Sequence, residues 1–278
     1  MSRILVLGGG GVTGIAWHLG LICGLQRAGV PLADADTIIG TSAGSVVGTG
    51  LAAGVDVEAA VARQQEPPTE SSTGPARSGP GRGAAWLAAM TVLLDPAIPA
   101  QEARARVGAM ALAAGLDETR YLTRMAELVP VPEWPERDLR IVVVDAADGR
   151  DVVLDSASGV PLLQAVAASC AVPGLMPPVT IGDRRYIDGG VRLGAGADLA
   201  VGAERLVVIA PLAALGRDRI VEEIASTGAG KTLLIEPDQE SLTAFGPNFM
   251  DVSRRPASVL AGLRQGAALA DAVRSVWS

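Results

Sequence analysis

The chain is poor in the residue types from which metal sites, disulfide frameworks and nucleic-acid surfaces are built. It has one histidine and two cysteines among 278 residues, too few for a histidine-rich metal site or a disulfide scaffold. Aromatic residues make up 3% of the sequence, which argues against a stacking platform for single-stranded nucleic acid. Cys23 and Cys170 both lie in apolar, helical-looking segments, so we expect reduced, buried thiols.

Acidic residues outnumber basic ones, 30 to 23, and the basic residues are almost all arginine. The net charge is −7, and Lys231 is the only lysine. Phosphate binding needs a basic patch, so we expect no nucleic-acid partner. The same charge gives no long-range attraction to anionic lipid surfaces.

Long apolar runs are absent as well. No stretch reaches the roughly 20 residues of a membrane span without Gly, Pro or a charge. Residues 3–7 are too short for a signal-peptide core, and we predict a cytoplasmic protein. Residues 1–278 are predicted to form a single domain, with its oligomeric state left open. Residues 67–83 are dense in Pro, Gly and Ser and are interpreted as a flexible loop, either simply disordered or a lid over a site.

The remaining pattern predicts an α/β protein. Residues 4–7 form a short apolar strand, a glycine-rich loop follows, and apolar residues recur at helical spacing over 15–28. Residues 37–40 form a second strand, and a tight turn at Ser42 leads into a helix that ends near residue 53. Further helices are predicted at 86–94, 99–114, 118–128, 162–170 and 257–276, and strands at 140–145, 151–154, 205–209 and 232–235, with a hairpin at 179–186. We expect a three-layer α/β/α sandwich around a mainly parallel sheet.

The first motif with chemical meaning is Gly40-Thr-Ser-Ala-Gly44. It matches the G-x-S-x-G nucleophile elbow, in which a sharp strand-to-helix turn projects the serine Oγ away from the backbone. The following helix N-terminus would place partial positive charge near a developing oxyanion. The alternative is a glycine-rich turn whose serine only caps the helix.

The second motif is the glycine loop that ends at Gly14. Read as Gly9-x-Gly11-x-x-Gly14, it fits a dinucleotide fingerprint. The acidic residues nearest the expected ribose position, Asp34 and Asp36, precede the second strand and so lie at its wrong end. Backbone N–H groups of the loop could equally surround a tetrahedral oxyanion.

The third motif is Asp188-Gly189-Gly190 at the end of a predicted strand. Asp-Gly-Gly is a common turn sequence, so by itself it carries little weight. Its value comes from its position after the other two motifs.

Together, the glycine loop, the elbow, the late Asp-Gly-Gly and the stretch at 168–179 resemble the patatin-like phospholipase family. The resemblance implies a patatin-like fold and a serine–aspartate dyad, with Ser42 as nucleophile and Asp188 as base. It further implies that the backbone N–H groups of Gly9, Gly10 and Gly11 form the oxyanion hole. No histidine follows Ser42, which excludes a lipase-type triad in the chain order Ser, acid, His.

The resemblance implies hydrolysis of a lipid or other acyl ester, without a metal or organic cofactor, and is compatible with transient contact with a membrane surface. Many family members carry Arg or Lys just before the last loop glycine, where this chain has Thr13. Two alternatives stay open: a nucleotide-binding enzyme that uses residues 9–14 for phosphate, and a catalytically silent lipid-binding homologue.

Three further features have competing interpretations. His18 is either a catalytic histidine or an ordinary helix-surface or supporting residue. Asp145 ends a strand where ligand sites cluster, although a turn role with Asp148-Gly149 fits better. The apolar segments 86–94 and 110–116 could wall an acyl-chain channel or be core or cap helices.

Overall fold

The computed structural model describes residues 2–67, 82–129 and 131–278. Within these ranges the strands are β1 (Arg3–Leu7), β2 (Thr37–Gly40), β3 (Asp138–Asp145), β4 (Asp151–Leu154), β5 (Val179–Ile181), β6 (Arg184–Asp188), β7 (Arg205–Ile209) and β8 (Lys231–Ile235). The helices are α1 (Gly11–Arg27), α2 (Ala43–Ala52), α3 (Val57–Gln65), α4 (Arg82–Leu93), α5 (Ala100–Ala113), α6 (Glu118–Leu128), α7 (Leu162–Ser169), α8 (Arg217–Ser226), α9 (Gln239–Phe245) and α10 (Arg255–Trp277).

The eight strands form one mixed sheet. Its centre is parallel, since β1 pairs with β2 and β7, β2 pairs with β3, and β7 pairs with β8. The remaining pairings, β3 with β4 and β6 and β5 with β6, are antiparallel. The expected α/β architecture is confirmed, and the parallel centre supplies the strand ends at which ligand sites of such sheets lie.

Both faces of the sheet are covered by helices. Leu5 and Leu7 of β1 belong to the apolar core that contains Trp17 of α1. Ile4 and Val6 of the same strand belong to a second core on the other face. Because alternate residues of a strand point to opposite faces, this division is what a three-layer α/β/α sandwich requires.

Helices α1 and α10 lie in close contact because glycines line their interface. A β-carbon at Gly20 would lie 2.1 Å from the carbonyl oxygen of Val259, and one at Gly266 would lie 2.2 Å from that of Leu21. Any larger residue at these two positions would push the helices apart. The contact holds the C-terminal helix against the helix that follows the glycine loop.

One edge of β3 brings two strand ends together. Val143 and Val144 pair with both β4 and β6, so these two strands lie on opposite edges of β3. Ile141 pairs with both β4 and β2, so β2 and β6 share the other edge. There β2 ends with Gly40 opposite Ile141, while the antiparallel β6 ends with Asp188 opposite Val143. The two strands approach end to end, which places Asp188 beside the turn that follows Gly40.

Several element boundaries differ from the prediction. Helix α1 begins at Gly11 rather than at residue 15, and the short helices α3, α8 and α9 were not predicted. Most of the predicted loop at 67–83 lies outside the described residues, and its end is earlier than expected because α4 already begins at Arg82. None of the helices in the described ranges is both long and apolar enough to cross a membrane.

Candidate active site

Ser42 occupies a strained turn between β2 and α2. Its φ of 53° and ψ of −119° are unusual for a residue with a side chain, and such strain is concentrated at functional sites. The flanking glycines are required by space, since a β-carbon at Gly40 would lie 2.7 Å from the Gly44 carbonyl oxygen and one at Gly44 would lie 1.9 Å from that of Leu7. The local geometry is therefore that of a nucleophile elbow, and Ser42 makes no side-chain capping bond to α2.

The backbone of Ser42 is held by a second serine that the sequence analysis did not identify. The Ser42 N–H donates to Ser169 Oγ at 2.8 Å, and Ser169 Oγ donates to the carbonyl oxygen of Val142 at 2.8 Å. Ser45 Oγ also donates to the Ser42 carbonyl oxygen at 2.7 Å. Ser169 lies in the 168–179 stretch, so that resemblance was the one signal pointing to it.

Asp188 ends β6 beside Ser42 and is 4% exposed. Its N–H donates to the Ala171 carbonyl oxygen at 3.1 Å, and its Oδ1 accepts the Gly190 N–H at 2.7 Å. Burial raises the pKa of Asp188 to about 7, although the nearby Ser42 hydroxyl and the hydrogen bond from the Gly190 N–H oppose the shift. A carboxyl with this pKa can exchange a proton near neutral pH.

The turn after Asp188 also depends on glycine. A β-carbon at Gly189 would lie 2.5 Å from the Val142 carbonyl oxygen. Gly190 donates its N–H to the Asp188 carboxylate and lines the pocket that contains Ser42. The Asp-Gly-Gly motif thus lets the chain turn closely past β3 while it orients the carboxylate.

The glycine loop lies across the same pocket, which is lined by Ser42, Asp188 and residues 9–11. Within the described part of the chain, the N–H groups of Gly9 and Gly10 meet no backbone or side-chain acceptor. Gly11 and Ala43 are the first residues of α1 and α2, so their N–H groups have no acceptor within the helix. Two helix N-termini therefore direct positive partial charge to this pocket.

Close packing explains the loop glycines. A β-carbon at Gly10 would lie 2.7 Å from Gly14 Cα and 2.8 Å from Pro211 Cβ. Gly14 itself packs against Pro211 and Ala43, the residue after Ser42. This contact brings the glycine loop and the elbow together.

Thr13 has a structural partner in place of the basic residue that many family members carry. Its N–H donates to the Phe249 carbonyl oxygen at 3.1 Å, and its Oγ1 lies 3.4 Å from the same oxygen. A β-carbon at Gly11, where φ is 58°, would lie 2.5 Å from Phe249 Cδ2. The segment at 249–250 is thus fixed onto the glycine loop.

The pocket itself is small and mostly apolar, with a volume of about 90 Å³. Beyond the glycines, Ser42 and Asp188, its walls are Trp86, Ala89, Met90, Leu93, Val172, Pro173, Val191, Leu193, Leu212, Leu215 and Phe249. The segment at 86–94 therefore contributes to the wall. No residue of 110–116 does, and Ala111 belongs to a core cluster.

The structure does not bring His18 to the pocket. Its imidazole is fully buried in α1, with Nε2 3.4 Å from the Ile209 carbonyl oxygen. Burial lowers the pKa of His18 to about 4, against hydrogen bonds to Ile209 and Gly14 that raise it. Of the two ordinary roles expected for His18, the helix-surface position is wrong, because the imidazole is buried beside β7.

Other candidate residues lie elsewhere. Asp34 ends a 3₁₀ turn before β2, and Asp36 accepts the Arg3 N–H at 2.8 Å, so neither carboxylate is at the end of β2 that a ribose would need. Asp145 has the expected turn role, accepting the Ala147 N–H at 2.9 Å, and pairs with Arg184. Among the described residues, no three His, Cys, Asp or Glu side chains form a cluster that could hold a metal ion.

Both cysteines are free. Cys23 is buried as expected, but Cys170, the residue that follows α7, is partly exposed. Its Sγ lies 3.8 Å from Ser45 Oγ, and burial of the sulfur raises its pKa to about 12. The thiol is therefore protonated at neutral pH.

Comparison with known proteins identifies a matching family and several relatives. A family model described as "Patatin-like phospholipase" matches residues 5–201, more than half of the chain. An uncharacterized NTE family protein from Mycobacterium bovis is 29% identical over 189 residues, 67% of this chain and 26% of the relative. The lysophospholipase NTE1 of Coccidioides immitis is 48% identical over 62 residues, 22% of this chain and 4% of the relative. The chain thus spans about a quarter or less of the length of these relatives.

Two solved structures are similar at low identity. VipD from Legionella pneumophila is 16% identical with a TM-score of 0.47, and the alignment covers 98% of this chain and 67% of VipD. ExoU, a type III effector of Pseudomonas aeruginosa, is 18% identical with a TM-score of 0.38, covering 96% of this chain and 53% of ExoU.

Proposed function

The chain belongs to the patatin-like phospholipase family, and from this premise we propose that it hydrolyses acyl esters of lipids with Ser42 as nucleophile and Asp188 as base. Family membership supports a lipid ester hydrolase. The observation that carries the residue assignment is the end-to-end approach of β2 and β6, which puts the elbow serine and a buried carboxylate in one pocket.

In the acylation step, Ser42 Oγ attacks the ester carbonyl carbon while the Asp188 carboxylate accepts the hydroxyl proton. The carbonyl π electrons move onto oxygen and form a tetrahedral oxyanion. Backbone N–H groups of Gly9, Gly10 and Gly11 stabilise that charge, helped by the helix N-termini. We add the N–H of Ala43, since the residue after the nucleophile has this role in other serine hydrolases.

The intermediate then collapses. The bond to the leaving alkoxide breaks, Asp188 returns the proton to that oxygen, and an acyl-enzyme remains on Ser42. In deacylation, Asp188 accepts a proton from water as the water oxygen attacks the acyl carbon. The second tetrahedral intermediate then collapses: its bond to Ser42 Oγ breaks, Asp188 returns the proton to that oxygen, and the carboxylic acid leaves.

Electrostatics support the base assignment. Burial raises the pKa of Asp188 to about 7, close to the value at which a general base works best near neutral pH. An ordinary exposed aspartate would be far too weak a base for a serine hydroxyl. The nucleotide-binding alternative has less support, because Asp34 precedes β2 and Phe249 packs on the glycine loop.

A fluorophosphonate probe tests the assignment. We expect it to label wild-type protein at Ser42, located by mass spectrometry, and to leave Ser42→Ala unlabelled. Labelling of Asp188→Asn should slow by at least about a thousandfold, because the serine loses its proton acceptor.

Two matched variants serve as controls. Ser275→Ala removes an exposed serine of α10, and Asp183→Asn removes an exposed carboxylate from the β5–β6 hairpin that also carries Asp188. Both should label like wild type. An unlabelled but folded wild-type protein would overturn the proposal and favour the silent lipid-binding homologue.

A further inference from the structure

One short segment of the chain contacts both Ser42 and Asp188. Ser169 is the last residue of α7, and its Oγ accepts the Ser42 N–H at 2.8 Å. Two residues later, the Ala171 carbonyl oxygen accepts the Asp188 N–H at 3.1 Å. Residues 169–171 therefore hold the main chain of the nucleophile and that of the base through two hydrogen bonds.

This segment is itself held by α7 and by the apolar core. Ser169 and Ala171 are both fully buried, and Ala168 and Ala171 belong to the core cluster that contains Leu7. The Ala171 N–H donates to the Ala168 carbonyl oxygen at 3.1 Å. Because a close-packed interior yields little, the segment is a rigid support for the two hydrogen bonds.

The Ser169 hydroxyl connects the elbow to the sheet at one point. It donates its single proton to the Val142 carbonyl oxygen at 2.8 Å, and its oxygen can therefore accept the Ser42 N–H. Val142 lies in β3 between the residues that pair with the last residues of β2 and β6. The hydroxyl thus binds β3 at the position where those two strand ends meet.

The elbow depends on this hydrogen bond more than on its other contacts. The φ of Ser42 is 53°, and a residue with a side chain keeps such a strained backbone only where its surroundings hold it. Ser42 precedes the first residue of α2, so its N–H has no acceptor within that helix. Among the described residues, the acceptor of this N–H is Ser169 Oγ.

Ser45 bonds the same residue but in a redundant way. Its Oγ donates to the Ser42 carbonyl oxygen at 2.7 Å. That oxygen also accepts the backbone N–H groups of Ser45 and Val46 at 2.8 and 3.3 Å. Loss of the Ser45 hydroxyl leaves the carbonyl satisfied, whereas loss of the Ser169 hydroxyl leaves a buried N–H without its acceptor.

We propose that Ser169 is a positioning residue that keeps Ser42 Oγ within reach of the Asp188 carboxylate. The proposal rests on the proposed hydrolase function and adds a residue that does not line the Ser42 pocket. Without the Ser169 hydroxyl, the elbow relaxes from its strained conformation and moves Oγ away from the base. Proton transfer requires hydrogen-bonding reach, and a displacement of about 1 Å can slow a reaction about a hundredfold.

The test compares Ser169→Ala with the matched variant Ser45→Ala in fluorophosphonate labelling and in hydrolysis of p-nitrophenyl butyrate. We expect Ser169→Ala to label and to hydrolyse at least about thirtyfold more slowly than wild type. It should still reach the final labelling stoichiometry of wild type, because every molecule keeps its nucleophile. Ser45→Ala should stay within about threefold of the wild-type rates.

Two readouts distinguish positioning from a general loss of structure. A misfolded fraction would lower the final stoichiometry and the circular dichroism signal rather than the rate alone. Ser169→Ala leaves the bond between Ala171 and Asp188 in place, so the pH profile of hydrolysis should keep its midpoint near 7. A lowered stoichiometry, or a midpoint that falls to that of an exposed aspartate, would overturn the positioning role.

Amide hydrogen exchange at Ser42, followed by NMR, separates this inference from the hydrolase proposal. The Ser42 amide should exchange at least about tenfold faster in Ser169→Ala than in wild type, and within about twofold of wild type in Ser45→Ala. A folded wild-type protein that neither labels nor hydrolyses overturns the hydrolase function, and faster exchange then still supports Ser169 as the residue that fixes the elbow. A Ser169→Ala protein that labels or exchanges at the wild-type rate overturns the positioning role alone.

Discussion

Asp188 and Arg192 lie four residues apart in the sequence and are both buried, yet their surroundings differ. Asp188 has hydrogen-bond donors but no cation within ion-pair distance among the described residues. Arg192 donates to Asp151 at 3.0 Å and to Asp198 at 2.7 Å. The chain therefore buries the Asp188 carboxyl without a counter-ion among the described residues, and the neighbouring Arg192 guanidinium with two.

The consequence is visible in the two pKa values. Burial raises the pKa of Asp188 to about 7. For Arg192, burial acts to lower the pKa, but the charges of Asp151 and Asp198 outweigh it and the pKa is raised. Arg192 stays charged at all relevant pH values, whereas Asp188 can gain and lose a proton. Of these two buried groups, the one that titrates near neutral pH is the one with no counter-ion within ion-pair distance among the described residues.

The ion-pair cluster around Arg192 lies next to the backbone that follows Asp188. Glu223 Oε2 accepts the N–H groups of Ala195, Gly196 and Ala197 at 3.0 to 3.1 Å. Together with Arg192, these bonds fix the chain that runs on from Gly190, which lines the Ser42 pocket. A fixed backbone is what keeps the Asp188 carboxylate in place despite its unfavourable burial.

Of the effects that distinguish Asp188 from Arg192, the pH dependence of activity should be the largest. Only ionised Asp188 can accept the serine proton, so kcat/KM for a p-nitrophenyl ester should fall as pH drops through about 7. Between pH 7 and pH 5 the ionised fraction decreases about fiftyfold, and the rate should follow it. Circular dichroism at each pH shows whether the protein stays folded. A rate that is constant down to pH 5 would mean that Asp188 keeps an ordinary pKa or is not the base.

Features that depend on residues close together in the chain could be predicted from the sequence. The elbow at Ser42 follows from glycines on either side of the serine and an apolar strand before it. Residues 37–40, 151–154 and 205–209 were predicted with the bounds that the structure has. The strand that delivers Asp188 was also expected, because a hairpin signal precedes Asp-Gly-Gly. The assignment of Ser42 and Asp188 as a dyad stays a prediction.

Features that depend on distant segments could not be predicted. Ser169 reaches the Ser42 N–H from 127 residues away, and no local pattern reveals that contact. Helix α1 begins at Gly11, against the low helix propensity of glycine. Tertiary packing requires glycine here, because Pro211 and Phe249 occupy the space that side chains at Gly10 and Gly11 would need.

A smaller expected effect concerns folding stability, because removal of the Asp188 charge should stabilise the protein. Because the pKa of Asp188 is raised from 3.8 to about 7 on folding, the folded state binds more protons than the unfolded state between these values. Its stability therefore falls as pH rises through this window. Asp188→Asn removes the buried charge and should stabilise the protein by about 2 kcal/mol at pH 8.

Urea denaturation at pH 8 and at pH 4 measures this difference. Near pH 4 the wild-type carboxyl is protonated in the folded state, so the advantage of Asp188→Asn should largely disappear. Asp183→Asn, on the exposed hairpin turn, should change stability by less than about 0.5 kcal/mol at either pH. A destabilised Asp188→Asn at pH 8 would show that hydrogen bonds to the carboxylate outweigh its desolvation.

The smallest expected effect has the opposite sign. Arg192→Met removes the cation that Asp151 and Asp198 share, although Asp151 keeps Arg104 at 3.4 Å. Such one-sided removal destabilises a buried ion pair. The two carboxylates are 33% and 34% exposed, so solvent screens part of the loss and we expect about 1 to 2 kcal/mol in urea denaturation at pH 8. Arg150→Met, which breaks an exposed pair with Asp148, should cost less than about 0.5 kcal/mol. If Arg192→Met proved as stable as wild type, the cluster would not be what fixes the chain after Asp188. The hydrogen bonds from Ala195, Gly196 and Ala197 to Glu223 would then have to account for that rigidity.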